Sequence, residues 1–300
     1  MNKTSTKSKT HKFKNNDELK NAYKQLPRLD KSEDDDLGLE EFLNVGVDEN
    51  ARLEQPLSHE EQQSLCMKMF PALASKTNLS QAEIEQFYEL KTVKVIKYDL
   101  ESTNHEAQLL QLANVLFSEM IVRDSQLNNL KGSQWREFGF QSDNPRTDFR
   151  GAGILAVENL RYFAQRYDEH FLIVFFHLTN GEQSVMPHLL KYKAKRSQLK
   201  NFLRLQTKDT NTLAEIHSIA LCFMFHFWKK NVKRLENEKQ NNPKKAQQLI
   251  MSKSYNSEPS EWTFKFIQTL LSFKLNELVD VKFYGEILSQ YYLKKKFKMV

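Results

Sequence analysis

The sequence predicts an all-α fold, and three observations carry that expectation: helix breakers are scarce, apolar residues recur at helical spacing, and two capping boxes mark helix starts. The 300 residues include only 8 Gly and 7 Pro, too few for a sheet closed by many tight turns. In Ser58-x-x-Glu61 and Ser80-x-x-Glu83 the hydroxyl can accept an N–H three residues on while the carboxylate reaches back to the cap. These boxes predict helices over 60–69 and 81–95. Apolar periodicity predicts further helices over 106–121, 153–166, 212–237, 262–278 and 285–295. Asn241-Asn242-Pro243 predicts a loop, followed by a polar stretch over 252–260. Residues 171–178 are β-branched and aromatic enough for a buried strand, and so short a run does not separate strand from helix.

The domain organisation follows from charge as much as from periodicity. Residues 1–30 hold eight Lys or Arg against three Asp or Glu, whereas 31–61 hold two against eleven, including Glu33-Asp34-Asp35-Asp36. Segments of this kind are normally solvated, so a disordered, charge-segregated tail is expected over 1–56, with one helical domain over 57–300. The first fourteen residues carry a single large apolar side chain, Phe13, and Asn2 stands where N-myristoylation needs glycine. Neither a secretory leader nor a myristoyl anchor is expected. A transit peptide would explain the missing acidic residues before Asp17, but arginine and an apolar face are also missing there.

The composition, 40% hydrophobic with 21 Phe, is enough for a sizeable core. The longest apolar runs, over 171–176 and 219–225, fall well short of the roughly 20 residues a membrane span needs. Cys66 and Cys222 lack metal-ligand spacing and read as reduced core residues of a cytoplasmic protein. His217 and His226 lie nine positions apart on one apolar helix and make no metal pair. No GxxxxGK[ST], GxGxxG or GxSxG string occurs, which argues against nucleotide binding by the chain itself and against serine hydrolysis. No cofactor or metal is expected. Basic clusters over 191–204, 229–245 and 294–298, with a net charge of +6, suit either a solvated surface or the anionic face of a membrane. No nucleic-acid motif accompanies them.

One segment carries chemistry. From Trp135 to Phe163 the chain reads W-x3-GFQ-x3-P-x-TDFRG-x-G-x-L-x4-L-x-YF. Asn144-Pro145 marks a bend, because proline pushes its predecessor out of the helical region. Thr147 and Asp148 are good N-cap residues, and Ile154, Val157, Leu160 and Tyr162 or Phe163 follow at helical spacing, so a helix is expected to begin close to Arg150. A cation there opposes the helix dipole, while free backbone N–H groups attract anions. Gly151 and Gly153 remove side chains that would hold a phosphate at a distance. Trp135, Phe140, Phe149 and Phe163 form an aromatic set expected to lie buried beneath the loop. The residues alone leave the anion open: Arg150 can meet a ligand, or Asp148 or Asp143 can close an internal salt bridge that fixes the bend.

That string resembles the signature of the ELMO domain, and specifically the small stand-alone proteins of the family that act as GTPase-activating proteins for Arf-family and Arf-like GTPases. Gly139, Phe140, Gln141, Pro145, Thr147, Asp148, Phe149, Arg150, Gly151 and Gly153 carry it, with Trp135 ahead of them. The resemblance implies an all-α domain with a signature core over 105–235. It also implies that Arg150 enters the partner's nucleotide site as an arginine finger, with Asp148 orienting it. The larger scaffold members, which work with DOCK-type exchange factors on Rac, generally lack that arginine. Leu109 to Leu116, Leu127 and Leu130 resemble the family's leucine-rich helix and loop. His170 to Thr179 is similar to a segment that usually reads PFAVAGINIT, with Phe175 in place of glycine and His177 in place of asparagine. Ile219 to Trp228 resembles the closing helix. Ser142 stands where glycine is common and Phe138 where isoleucine or leucine is usual. Two functions follow: a catalytic GTPase activator, or a non-catalytic small-GTPase-binding or scaffold module related to the ELMO adaptors.

Overall fold

The computed structural model describes residues 79–86, 89, 97–117, 130–137, 140–150, 153–167 and 196–297, and every regular element among them is helical. The expected tail, the Ser58 box, Cys66 and the ambiguous run over 171–178 lie outside the described residues. The second capping box forms as its spacing requires. Glu83 N–H donates to Ser80 Oγ at 3.3 Å, Ser80 N–H donates to Glu83 Oε2 at 2.7 Å, and residues 81–86 are helical.

Helix α1 (Thr103–Leu116) starts where Ser102 Oγ accepts the His105 N–H at 3.4 Å and buries Leu109, Leu112, Ala113 and Leu116. A one-turn α2 (Gln134–Glu137) and a 3-10 turn (Pro145–Arg150) lead into α3 (Gly153–Arg166). Helices α4 (Arg196–Gln206) and α5 (Thr212–Asn241) follow, then α6 (Pro243–Met251), α7 (Lys253–Leu271) and α8 (Leu278–Phe297). At about 1.5 Å per residue α5 runs roughly 45 Å. It is the central strut: α3, α4, α6, α7 and α8 all pack on it, and α1 packs across α3. One continuous core joins Leu109 and Trp135 at the α1 end to Phe223, Phe266 and Leu288 at the other. Phe223 stacks on Phe266 with centroids 4.6 Å apart, and Phe227 meets Phe297 edge-on at 5.1 Å.

Helix α3 has the bounds that its periodicity predicts. Three other expectations need correction. The loop expected at Asn241-Asn242-Pro243 is a single joint, because Asn242 Oδ1 accepts the Lys245 N–H at 3.1 Å and Pro243 occupies the first turn of α6, where its missing N–H costs nothing. The polar stretch over 252–260 is helical from Lys253, with Pro259 inside α7. The helix expected over 262–278 stops at Leu271, and α8 starts at Leu278.

The α7–α8 break is held from a distance. Along α4 and just beyond it, four side chains donate to carbonyls at the end of α7 and in the turn after it. Gln198 Nε2 reaches Gln268 O at 2.9 Å, Asn201 Nδ2 reaches Leu271 O at 3.1 Å, Arg204 Nη2 reaches Leu275 O at 2.6 Å and Lys208 Nζ reaches Asn276 O at 3.2 Å. The last carbonyls of a helix lack partners within it, so these donors satisfy what the break exposes. The next helix is capped locally, with Asp280 Oδ2 accepting the Asn276 N–H at 3.0 Å.

Candidate functional site

The signature segment folds as a short loop wrapped around its own aromatic residues. Gly132 N–H donates to Asp143 O at 2.9 Å, closing the loop around α2. Trp135 is fully buried, and Phe140 and Phe149 are nearly so. The rings meet edge-on, Phe117 to Trp135 at 4.9 Å, Trp135 to Phe140 at 4.8 Å and Phe140 to Phe149 at 6.0 Å. Phe163 is buried in the same cluster and stacks on Tyr167 at 5.1 Å. The aromatic set therefore supports the loop from beneath, as its composition predicts.

The bend at Asn144-Pro145 is built by hydroxyls. Ser142 Oγ accepts the Asn144 N–H at 3.1 Å, and Thr147 Oγ1 donates to Asn144 O at 2.9 Å. Pro145 is buried and starts the 3-10 turn. Thr147 and Asp148 are thus not caps of the following helix. They lie within the 3-10 turn, where a proline-initiated tight turn precedes the α-helical register, and α3 starts at Gly153, three residues after Arg150. The Asp148 carboxylate accepts the Gln141 backbone N–H at 2.9 Å through Oδ2, pinning the turn to the preceding loop. Asp143 pairs with Arg136 at 2.7 Å, with both side chains more than half exposed.

The backbone of Arg150 ends the 3-10 turn three residues ahead of Gly153, and the Arg150 side chain, like Gly139 and Gly151, lies outside what the structure describes. Gly153 takes φ 59°, a left-handed conformation that suits glycine and strains other residues. That angle turns the chain from the 3-10 turn into α3. The first turn of α3 contains no acidic side chain to compete for its N–H groups.

Three residues that the sequence did not single out fix this turn to the rest of the molecule. Arg146 is bidentate on Glu106 of α1: Nε donates to Oε1 at 2.7 Å and Nη2 donates to Oε2. Tyr98 donates its hydroxyl to Glu106 Oε1 at 2.9 Å and stacks on Phe149 at 5.6 Å. Hydrogen bonding to Arg146 holds the Glu106 carboxyl below the ordinary carboxylate range despite its partial burial, and burial followed by Glu106 pushes the Tyr98 hydroxyl well above the ordinary phenol range. The signal available in sequence was weak, because charged residues forty positions apart carry no local mark of their pairing.

Behind the site, α3 is locked to α5 by a buried carboxylate. Glu215 accepts the Tyr162 hydroxyl at 2.6 Å and the Tyr167 hydroxyl at 2.8 Å. Further along α5, Cys222 is a free thiol pushed up to about 12 by burial and then by Glu215, which makes it a poor nucleophile. Among the described residues no group of three or more His, Cys, Asp or Glu could hold a metal, and no helix is long and apolar enough to cross a membrane.

Residues 88–248, which include the whole signature, match the ELMO/CED-12 family. ELMO domain-containing protein 2 of Homo sapiens is 38% identical over 103 residues, covering 34% of this chain and 31% of that protein. The Mus musculus ELMO domain-containing protein 2 is 29% identical over 157 residues, covering 47% and 49%, and ELMO domain-containing protein 1 of the same species is 44% identical over 69 residues, covering 23% and 20%. The matches thus span between about a fifth and about half of the length of these relatives. No solved structure matches.

Proposed function

The chain belongs to the ELMO/CED-12 family, and from that premise we propose that it acts as a GTPase-activating protein for an Arf-family or Arf-like small GTPase. The observation that carries the reading is the TDFRG string, with Arg150 at the end of a turn fastened on several sides and Gly153 starting a helix directly after it. In this reading the GTPase brings GTP and its own magnesium, and water attacks the γ-phosphorus to release GDP and phosphate. Arg150, supplied in trans, neutralises charge that develops on the transferred phosphoryl group, and such fingers are worth about 10³–10⁵ in rate. Asp148 fixes the turn that orients the arginine, and the small residues Gly151 and Gly153 allow the partner's phosphates to approach. The basic clusters suit a protein whose partner is held at an anionic membrane.

Single-turnover GTP hydrolysis by a panel of Arf and Arf-like GTPases, with wild type beside Arg150→Lys, tests the reading. Lysine keeps the charge and loses the planar fork, so stimulated hydrolysis should collapse while GTPase binding persists in a folded mutant. No acceleration by wild type across a properly loaded panel would move the chain to the binding-module class, in which it engages a small GTPase or scaffold without catalysis.

A further inference from the structure

Positive charge collects in several blocks of this chain. Residues 229–252 are one of them, with seven Lys or Arg against two Glu, an excess of five. One of the two carboxylates, Glu238, is already engaged by Lys245 at 2.7 Å. The cations also press on one another. Burial and then Lys233 hold Lys230 below the ordinary amine range, and His226 is lowered by burial, Lys229 and Lys230. A surface with an excess of cations attracts an external anion.

The same region presents apolar side chains to water. Helix α6 turns back at Asn242 and packs along α5 through its one buried residue, Ala246. At 100° per residue, Lys244, Gln248 and Met251 stand on the side away from Ala246. Met251 is 79% exposed and its neighbour Ile250 45%. Of the other exposed large apolar residues, Val279 and Phe283 share α8 with Asp280 and Glu286, Leu100 lies between Asp99 and Glu101, and Leu110 stands on α1 among glutamines and leucines. Among the described residues, protruding apolar side chains and excess positive charge coincide at the end of α6. Nucleic acid would meet the charge, but no nucleic-acid-binding motif accompanies it. The interface of an anionic bilayer accepts both the charge and the apolar side chains.

We propose that the surface formed by α6 and the second half of α5 docks on an anionic lipid bilayer, with Lys239 and Lys244 at the headgroups and Ile250 and Met251 entering the headgroup–acyl boundary. The proposal goes beyond the GTPase reading and stands without it, because bilayer binding is measured with no GTPase present.

The test is co-sedimentation of the full chain with vesicles of phosphatidylcholine alone and of phosphatidylcholine with phosphatidylserine, at low and high salt. Wild type should bind only the anionic vesicles, and high salt should release it. The pair Lys239→Glu with Lys244→Glu should lower partitioning at least about tenfold, and Ile250→Ser with Met251→Ser about tenfold. Reversing two exposed lysines elsewhere, Lys131→Glu with Lys274→Glu, should change it little. If the apolar pair disturbs folding by circular dichroism, Met251→Ser alone replaces it. The proposal is overturned if wild type ignores anionic vesicles, if either α6-region pair binds like wild type, or if the Lys131 and Lys274 pair weakens binding as much.

Discussion

Arg146 and Glu106, forty positions apart, meet as a bidentate ion pair that ties the 3-10 turn bearing Arg150 to the first half of α1. Both side chains are largely withdrawn from water, at 11% and 27% exposure, so the pair escapes much of the screening that makes surface pairs weak. Glu106→Gln removes the charge and leaves Arg146 half-satisfied, at a cost of about 1–3 kcal/mol. Under the proposed activator function, stimulated hydrolysis should fall with it, because the turn loses its anchor to α1. Chemical denaturation of wild type and Glu106→Gln side by side checks the first claim, and equal midpoints would refute it. The sign with pH is fixed: the Glu106 carboxyl titrates lower folded than unfolded, so its contribution is present above the unfolded value and is lost as pH falls through the folded one.

The buried carboxylate of Glu215 gives a second prediction. Tyr162 comes from α3, Tyr167 from just beyond it, and both hydroxyls converge on one side chain of α5. Each Tyr→Phe change removes a hydrogen bond to a charged acceptor and should cost about 1.5–3 kcal/mol. Because the two share a partner, the double mutant should depart from additivity. A double-mutant cycle by urea unfolding measures that coupling, and a cycle that closes to within about 0.3 kcal/mol would mean that the two hydroxyls act independently.

How far the sequence could be read follows from how far each determinant reached along the chain. Helix α3 was legible because Ile154, Val157, Leu160 and Phe163 repeat within the helix itself, and the Ser80 box because both halves lie within four residues. The aromatic cushion was legible as composition, since four rings in one short segment have few places to go but inward. The end of α7 was not: the carbonyls there and in the turn that follows find donors in Gln198, Asn201 and Arg204, about seventy positions earlier. What the sequence mistook was the role of Thr147 and Asp148, which have the chemistry of helix caps and are spent on a tighter turn ahead of α3. Glu106 and Arg146 were missed for the same reason as the α7 end, their pairing being set by tertiary structure alone.

Gly285 provides a test of the α5–α8 packing in which the usual sign reverses. Glycine inside a helix is ordinarily destabilising relative to alanine by roughly 0.5–1 kcal/mol. Here a Cβ would stand 2.8 Å from Ile219 Cγ2, a methyl on a stiff β-branched side chain of α5. Gly285→Ala should therefore destabilise, by about 1–3 kcal/mol as in other overpacked cores. Adding Ile219→Ala, which removes the clashing methyl, should make Gly285→Ala less damaging than it is alone. Thermal melts of the two singles and the double decide it, and a stabilised Gly285→Ala protein would show that α5 and α8 are not closely packed there.

His217 sets an acid limit on stability. It sits in α5 at 4% exposure, and burial lowers it to about 4 from an ordinary 6.5. The folded state therefore holds it neutral over a range in which the unfolded chain takes up a proton. As pH drops below the unfolded value, the unfolded state binds more protons and stability declines, until the folded histidine itself titrates near 4. At about 1.4 kcal/mol per unit the full loss is roughly 3 kcal/mol. His226, also lowered by burial, adds to the same window. Urea unfolding at intervals from pH 7.5 to 4.5 should show the decline in wild type and a flatter one in His217→Gln, whose side chain cannot charge. Parallel pH profiles for the two proteins would remove His217 as a source of the acid sensitivity.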